Sequence, residues 1–95
     1  MKKIFPMTAP GKDDARVRDK LRHEVNKYLA RERRKTVPEG FDHWDFNCRA
    51  GADQETSTIC APREIGAIID TVAAAGGTTV YIEIIPSAGK RRFTR

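Results

Sequence analysis

Along residues 78–85 apolar and polar side chains alternate: Val80, Ile82 and Ile84 share one face, and Tyr81, Glu83 and Ile85 the other. This is the clearest strand in the chain, and Pro86 is expected to end it. Residues 41–49 alternate in the same way, with Trp44, Phe46 and Cys48 opposite His43, Asp45, Asn47 and Arg49. A turn at Gly51-Ala52-Asp53-Gln54 leads to a more polar strand over residues 55–60. Residues 2–7 read as a brief first strand, weakened by Pro6, which has no N–H to give a ladder.

Two stretches follow the helical period instead. After the loop Thr8-Ala9-Pro10-Gly11-Lys12, Asp13 or Asp14 is placed to cap a helix running to about Arg34, ahead of Pro38-Glu39-Gly40. On it, Val17, Leu21, Val25, Tyr28 and Leu29 fall within an arc of about 120°, as a helix lying on a sheet requires. Pro62 suits the first turn of a second helix, with a stripe of Ile65, Ile68, Ile69 and Val72 and a left-handed cap at Gly76-Gly77.

The predicted order, β-α-β-β-α-β, is the split βαβ arrangement. It implies an α+β, ferredoxin-like two-layer sandwich: a four-stranded antiparallel sheet with both helices on one face and the other face open. Residues 1–86 would form a single domain and residues 87–95 a flexible basic tail. A central position would suit Pro6 poorly. If Ile59 shares the core face with Phe46, the hairpin register is odd and Cys60 points away from Cys48. That geometry argues against a disulfide or a shared metal, and leaves both cysteines as packing residues.

Size and charge narrow the function. Ninety-five residues, 39% of them hydrophobic, support one modest core with little room for a deep substrate cavity. No apolar run approaches the roughly 18 residues needed to span a bilayer. The opening Met1-Lys2-Lys3-Ile4-Phe5-Pro6 lacks the apolar stretch of about 7–15 residues that follows the charged region of an export signal, so the cytoplasm is the expected location. The net charge of +5 is sorted by position. Residues 1–35 hold twelve Lys/Arg against five Asp/Glu, residues 36–85 two against eight, and residues 86–95 four against none.

Most of the basic front lies on one side of the first helix. Arg16, Lys20, His23, Lys27, Arg31 and Arg34 occupy an arc of about 80° away from the apolar stripe, a row about 27 Å long. Like charges at this spacing repel, and a polyanion would relieve the repulsion while releasing counterions. Guanidinium groups add bidentate pairing with phosphate. The same row also fits a solvated helix face, or a protein partner such as the acidic half of a second copy. The tail Lys90-Arg91-Arg92-Phe93-Thr94-Arg95 fits either an auxiliary arm on a phosphate backbone or a solubilising terminus.

Nucleic acid, with RNA favoured, is therefore the leading ligand, held by Arg16, Lys20, Lys27, Arg31 and Arg34 with Lys90, Arg91 and Arg92 assisting. A protein-interaction module or homodimer is the alternative. Stacking of bases on the open sheet face is not expected, because Tyr81 is the only clear outward aromatic. The best catalytic constellation is His43, Asp45 and Asn47 on one strand face, with Cys60 across the hairpin as a possible nucleophile or metal ligand. Its spacing matches no hydrolase or metal motif, so no catalytic residue, metal or other cofactor is assigned.

Several segments together resemble a family of short, uncharacterised bacterial proteins, a domain of unknown function. They are Lys3-Ile4-Phe5-Pro6 with Ala9-Pro10-Gly11-Lys12, Arg31-Glu32-Arg33-Arg34-Lys35, Pro38-Glu39-Gly40, Trp44-Asp45-Phe46, and Gly76-Gly77 followed by Val80-Tyr81-Ile82-Glu83. The resemblance spans most of the chain. It implies a standalone bacterial cytosolic protein and carries over no catalytic or binding residue.

Overall fold

The computed structural model describes residues 1–90. Its elements are β1 (Lys2–Pro6), α1 (Asp14–Arg33), β2 (His43–Gly51), β3 (Thr58–Cys60), a 3-10 turn (Pro62–Glu64), α2 (Ile65–Ala74) and β4 (Thr79–Gly89). Every strand pairing is antiparallel, and the sheet order is β1-β4-β2-β3. The α+β arrangement of four strands and two helices is the one the sequence implies.

The strand order departs from a ferredoxin-like sheet, which would put β1 and β3 in the centre. Here the centre is taken by β4 and β2, with eleven and nine residues, which carry the longest apolar alternations. Both edges go to weak strands: β3 has three residues, and β1 contains Pro6. The ladder shows why Pro6 costs nothing at that edge. Ile84 N donates to Met1 O (2.7 Å) and Met7 N to Thr78 O (2.8 Å), so odd-numbered residues of β1 bond to β4. Pro6, an even position, turns its missing N–H outward.

The same parity explains why β4 runs through Pro86 rather than ending there. The N–H groups of Ile82, Ile84 and residue 86 point towards β1, and β1 has ended before residue 86 is reached. Proline therefore removes no ladder bond, and residues 87–89 continue pairing with Asp45, Trp44 and His43.

Both helices cover one face of the sheet. Leu21, Val25 and Leu29 of α1 and Ile65, Ile69 and Val72 of α2 meet Phe5, Cys48, Val80, Ile82 and Ile84. Ile69, Ile82 and Ile84 are fully buried, each contributing roughly 1.5–3 kcal/mol. Asp13 caps α1, its Oδ1 accepting from Ala15 N at 3.0 Å. Gly76 (φ 90°) ends α2 in a left-handed turn, with Gly77 N donating to Val72 O and Gly76 N to Ala73 O.

The hairpin register differs from the expected odd one. Cys48 pairs directly with Cys60, and Ile59, paired with Arg49, is 80% exposed on the open face. Turn chemistry sets this register. Asp53 Oδ1 accepts from both Thr56 N (2.8 Å) and Thr56 Oγ1 (2.9 Å), bending residues 53–56 out of the strand. Arg49 then holds the returning chain, with Nη2 donating to Ser57 O (2.9 Å) and Nε to Ser57 Oγ (3.3 Å).

Candidate nucleic-acid interface

The apolar stripe of α1 seats the helix on the sheet, and that seating aims its opposite side at solvent. Arg16, Lys20, His23, Lys27 and Arg31 are all exposed on α1, as is Arg34 at its C-cap. Capping by Asp13 and burial of Leu21, Val25 and Leu29 are the local features that fix this orientation.

Two of the cations on and just after this helix, Arg22 and Lys35, are ion-paired. Arg22 bridges Asp19 of its own helix (2.7 Å) and Asp70 of α2, tying the two helices together. Lys35 Nζ pairs with Glu32 (2.7 Å), and this contact holds the buried Glu32 carboxyl below its ordinary range. Arg16, Lys20, Lys27, Arg31 and Arg34 have no carboxylate within ion-pair distance among the described residues. The ridge predicted from the helical wheel is therefore a row of cations without direct ion pairs, with Glu24 exposed at its margin and Glu32 interacting with Arg31 at longer range.

At the C-terminal end of α1, Tyr28 and Phe46 pack half-buried against the core as expected, and each carries a guanidinium over its ring. Arg33 lies over the Phe46 ring at 5.3 Å, and Arg31 over Tyr28 at 5.4 Å. Trp44 is half-buried, its Nε1 donating to Lys35 O at 2.9 Å. The usable signal was the position of Trp44 and Phe46 at the start of β2. Pairing of Gly89 with His43 brings the exposed Lys90 to this same end of the sheet. Arg91 and Arg92 lie outside the described residues.

The other candidates come apart. Cys60 sits with Cys48 on the helix-covered face, whereas His43, Asp45 and Asn47 share the open face with Arg49, so no cysteine–histidine pair is assembled. His43 is instead held between carboxylates, Nδ1 2.5 Å from Asp42 Oδ1 and Nε2 3.2 Å from Asp45 Oδ2. The Asp42 hydrogen bond, with help from Asp45, raises the His43 pKa. Burial raises both thiols, Cys48 to about 11, so they stay protonated near neutrality. Tyr81, expected outward, is only 4% exposed, with its hydroxyl donating to Glu83 Oε1 at 2.7 Å. Among the described residues no group of three His, Cys, Asp or Glu is arranged to hold a metal ion, and no helix is long and apolar enough to cross a membrane.

The chain belongs to a family of unknown function, DUF6172, whose profile matches residues 1–95. No curated protein and no solved structure matches it.

Proposed function

We propose that this member of the family is a bacterial, cytoplasmic, non-enzymatic module that binds nucleic acid, RNA in preference to DNA, through phosphate contacts. One observation carries the reading: Arg16, Lys20, Lys27, Arg31 and Arg34 stand exposed in a row on one helix face while the neighbouring Arg22 and Lys35 are neutralised by carboxylates. A row about 27 Å long spans several successive phosphates, and each contact releases counterions. Arg33, held over the half-buried Phe46 ring, extends the row at its C-terminal end, where Trp44 is bonded to Lys35 O. Lys90 adds a further cation there, and Arg91 and Arg92 follow it in the sequence.

The deciding experiment is a titration of a fluorescein-labelled single-stranded RNA by anisotropy at low and moderate salt. Binding that weakens steeply with salt and depends little on sequence is the expected result. Absence of binding at low salt refutes the reading. The chain's single tryptophan, Trp44, supplies an internal signal, because a base brought near it quenches its fluorescence.

A further inference from the structure

A groove of 720 Å³ lies between β1 and the first half of α1, beneath the loop that joins them. Its apolar surface includes Phe5, Val17 and Leu21, and Lys12, Arg16 and Lys20 stand around it. Val17 belongs to the apolar stripe of α1 yet stays half-exposed, unlike Leu21, Val25 and Leu29. The helix thus leaves one side chain of its apolar stripe open to the groove.

That edge is open for pairing. Odd-numbered residues of β1 spend their backbone groups on β4, so Lys2 and Ile4 each direct an N–H and a C=O away from the sheet. Among the described residues neither group has a partner on that side. Pro6 contributes only a carbonyl there. Free backbone groups on an edge strand, next to a partly apolar groove that begins at Phe5 and is walled by a helix, are the elements of recognition by strand addition.

We propose that this groove binds an extended acidic segment of a partner protein, which joins the sheet as a fifth strand beside β1. Its backbone would bond to Lys2 and Ile4. The side chains on its groove-facing side would be apolar against Phe5, Val17 and Leu21 and acidic against Lys12, Arg16 and Lys20, all of which line the same groove. Two acidic residues also line the groove. Asp13 keeps its charge while capping α1, so the groove sets three cations against two carboxylates, and Lys2 and Lys3 of β1 add to the positive side. Charge selects the occupant. A second copy docked edge to edge would set Lys2, Lys3, Lys12, Arg16 and Lys20 against the same set, whereas an acidic strand neutralises them. This inference does not rest on the RNA reading, although the two sites share Arg16 and Lys20 and an acidic segment would displace RNA from the front of the ridge.

The test is a heteronuclear NMR titration of the full chain with a blocked peptide in which valine and glutamate take turns at every second position, with threonine between them. Three comparison peptides are used: a lysine–valine version, a glutamate–serine version, and a glutamate–valine version N-methylated at alternate amides. The expected result is a shift of the Lys2 and Ile4 amides with exchange at Ile4 slowed about tenfold or more. Affinity should fall roughly tenfold for the glutamate–serine and N-methylated peptides. The double variant Arg16→Glu/Lys20→Glu, altered only at exposed positions, should prefer the lysine–valine peptide.

No response at Lys2 and Ile4 at about 1 mM peptide, the limit of weak recognition, overturns the proposal. Equal binding of the N-methylated peptide overturns strand addition. Shifts at β1 that depend on protein concentration without peptide identify a second copy as the occupant and overturn it as well. RNA binding with no peptide response would remove this proposal and leave the RNA reading intact.

Discussion

Cys48 and Cys60 face each other across β2 and β3, on the side of the sheet that the helices cover. Cys48 is 2% exposed and Cys60 half-buried, and burial is the main cause that raises both thiol pKa values. Because the thiolate is the reactive form, alkylation of the native protein at neutral pH should be slow, Cys48 reacting after Cys60. Unfolding in denaturant should make both react at the rate of a free thiol. Mass spectrometry of timed iodoacetamide quenches checks this. Fast modification of Cys48 in the folded state would contradict its burial.

Neutralising the ridge should separate binding from stability. Replacing Arg16, Lys20, Lys27, Arg31 and Arg34 by glutamine removes like-charge contacts along α1, each worth a few tenths of a kcal/mol. Loss of the Arg31 contact with Tyr28 opposes this gain, so stability to urea should change by no more than about 1 kcal/mol. Each substitution that removes a phosphate contact should reduce the salt slope of RNA binding by about 0.7. Arg22→Gln should behave oppositely, leaving RNA affinity near wild type while loosening α1 from α2, because its guanidinium already serves Asp19 and Asp70.

Gly51 is required by close approach rather than by its backbone angles. A Cβ at residue 51 would lie 2.8 Å from Ser57 Cα and 3.3 Å from Thr56 O, both backbone atoms that the turn holds in place. Gly51→Ala should cost about 1–3 kcal/mol of unfolding free energy, measured by denaturant titration. Because residue 51 closes the β2–β3 turn, the loss should also appear as faster amide exchange in β3.

His43 makes stability depend on pH with a definite sign. Its folded pKa is raised, first by the hydrogen bond to Asp42 and then by Asp45, above the ordinary value of 6.5. The contribution is complete below 6.5 and drains away as pH climbs through the higher folded value. An NMR titration of the His43 ring should give a midpoint above 6.5, and Asp42→Asn should bring that midpoint down. A midpoint unmoved by Asp42→Asn would sink this assignment.

Much of the fold follows from local chemistry. The 3.6-residue stripe of α1, the Asp13 cap, the glycine pair that ends α2 and the alternation along residues 80–85 each report a structure whose cause lies within a few neighbouring residues. The cationic ridge is equally local, because a wheel angle and a buried opposite face decide it.

Strand order, hairpin register and the groove beside β1 were beyond that reach. Which weak strand takes which edge depends on competition among all four for the centre, and the longer ladders of β2 and β4 win it. The register of β3 depends on Asp53 catching Thr56 and on Arg49 holding Ser57, contacts formed only once the turn has closed. The amino-acid order alone thus determined the elements and the ridge's charge. Tertiary structure decided which of those charges remain unpaired, which aromatics are covered and which backbone groups stay open, because each depends on residues brought together from distant parts of the chain.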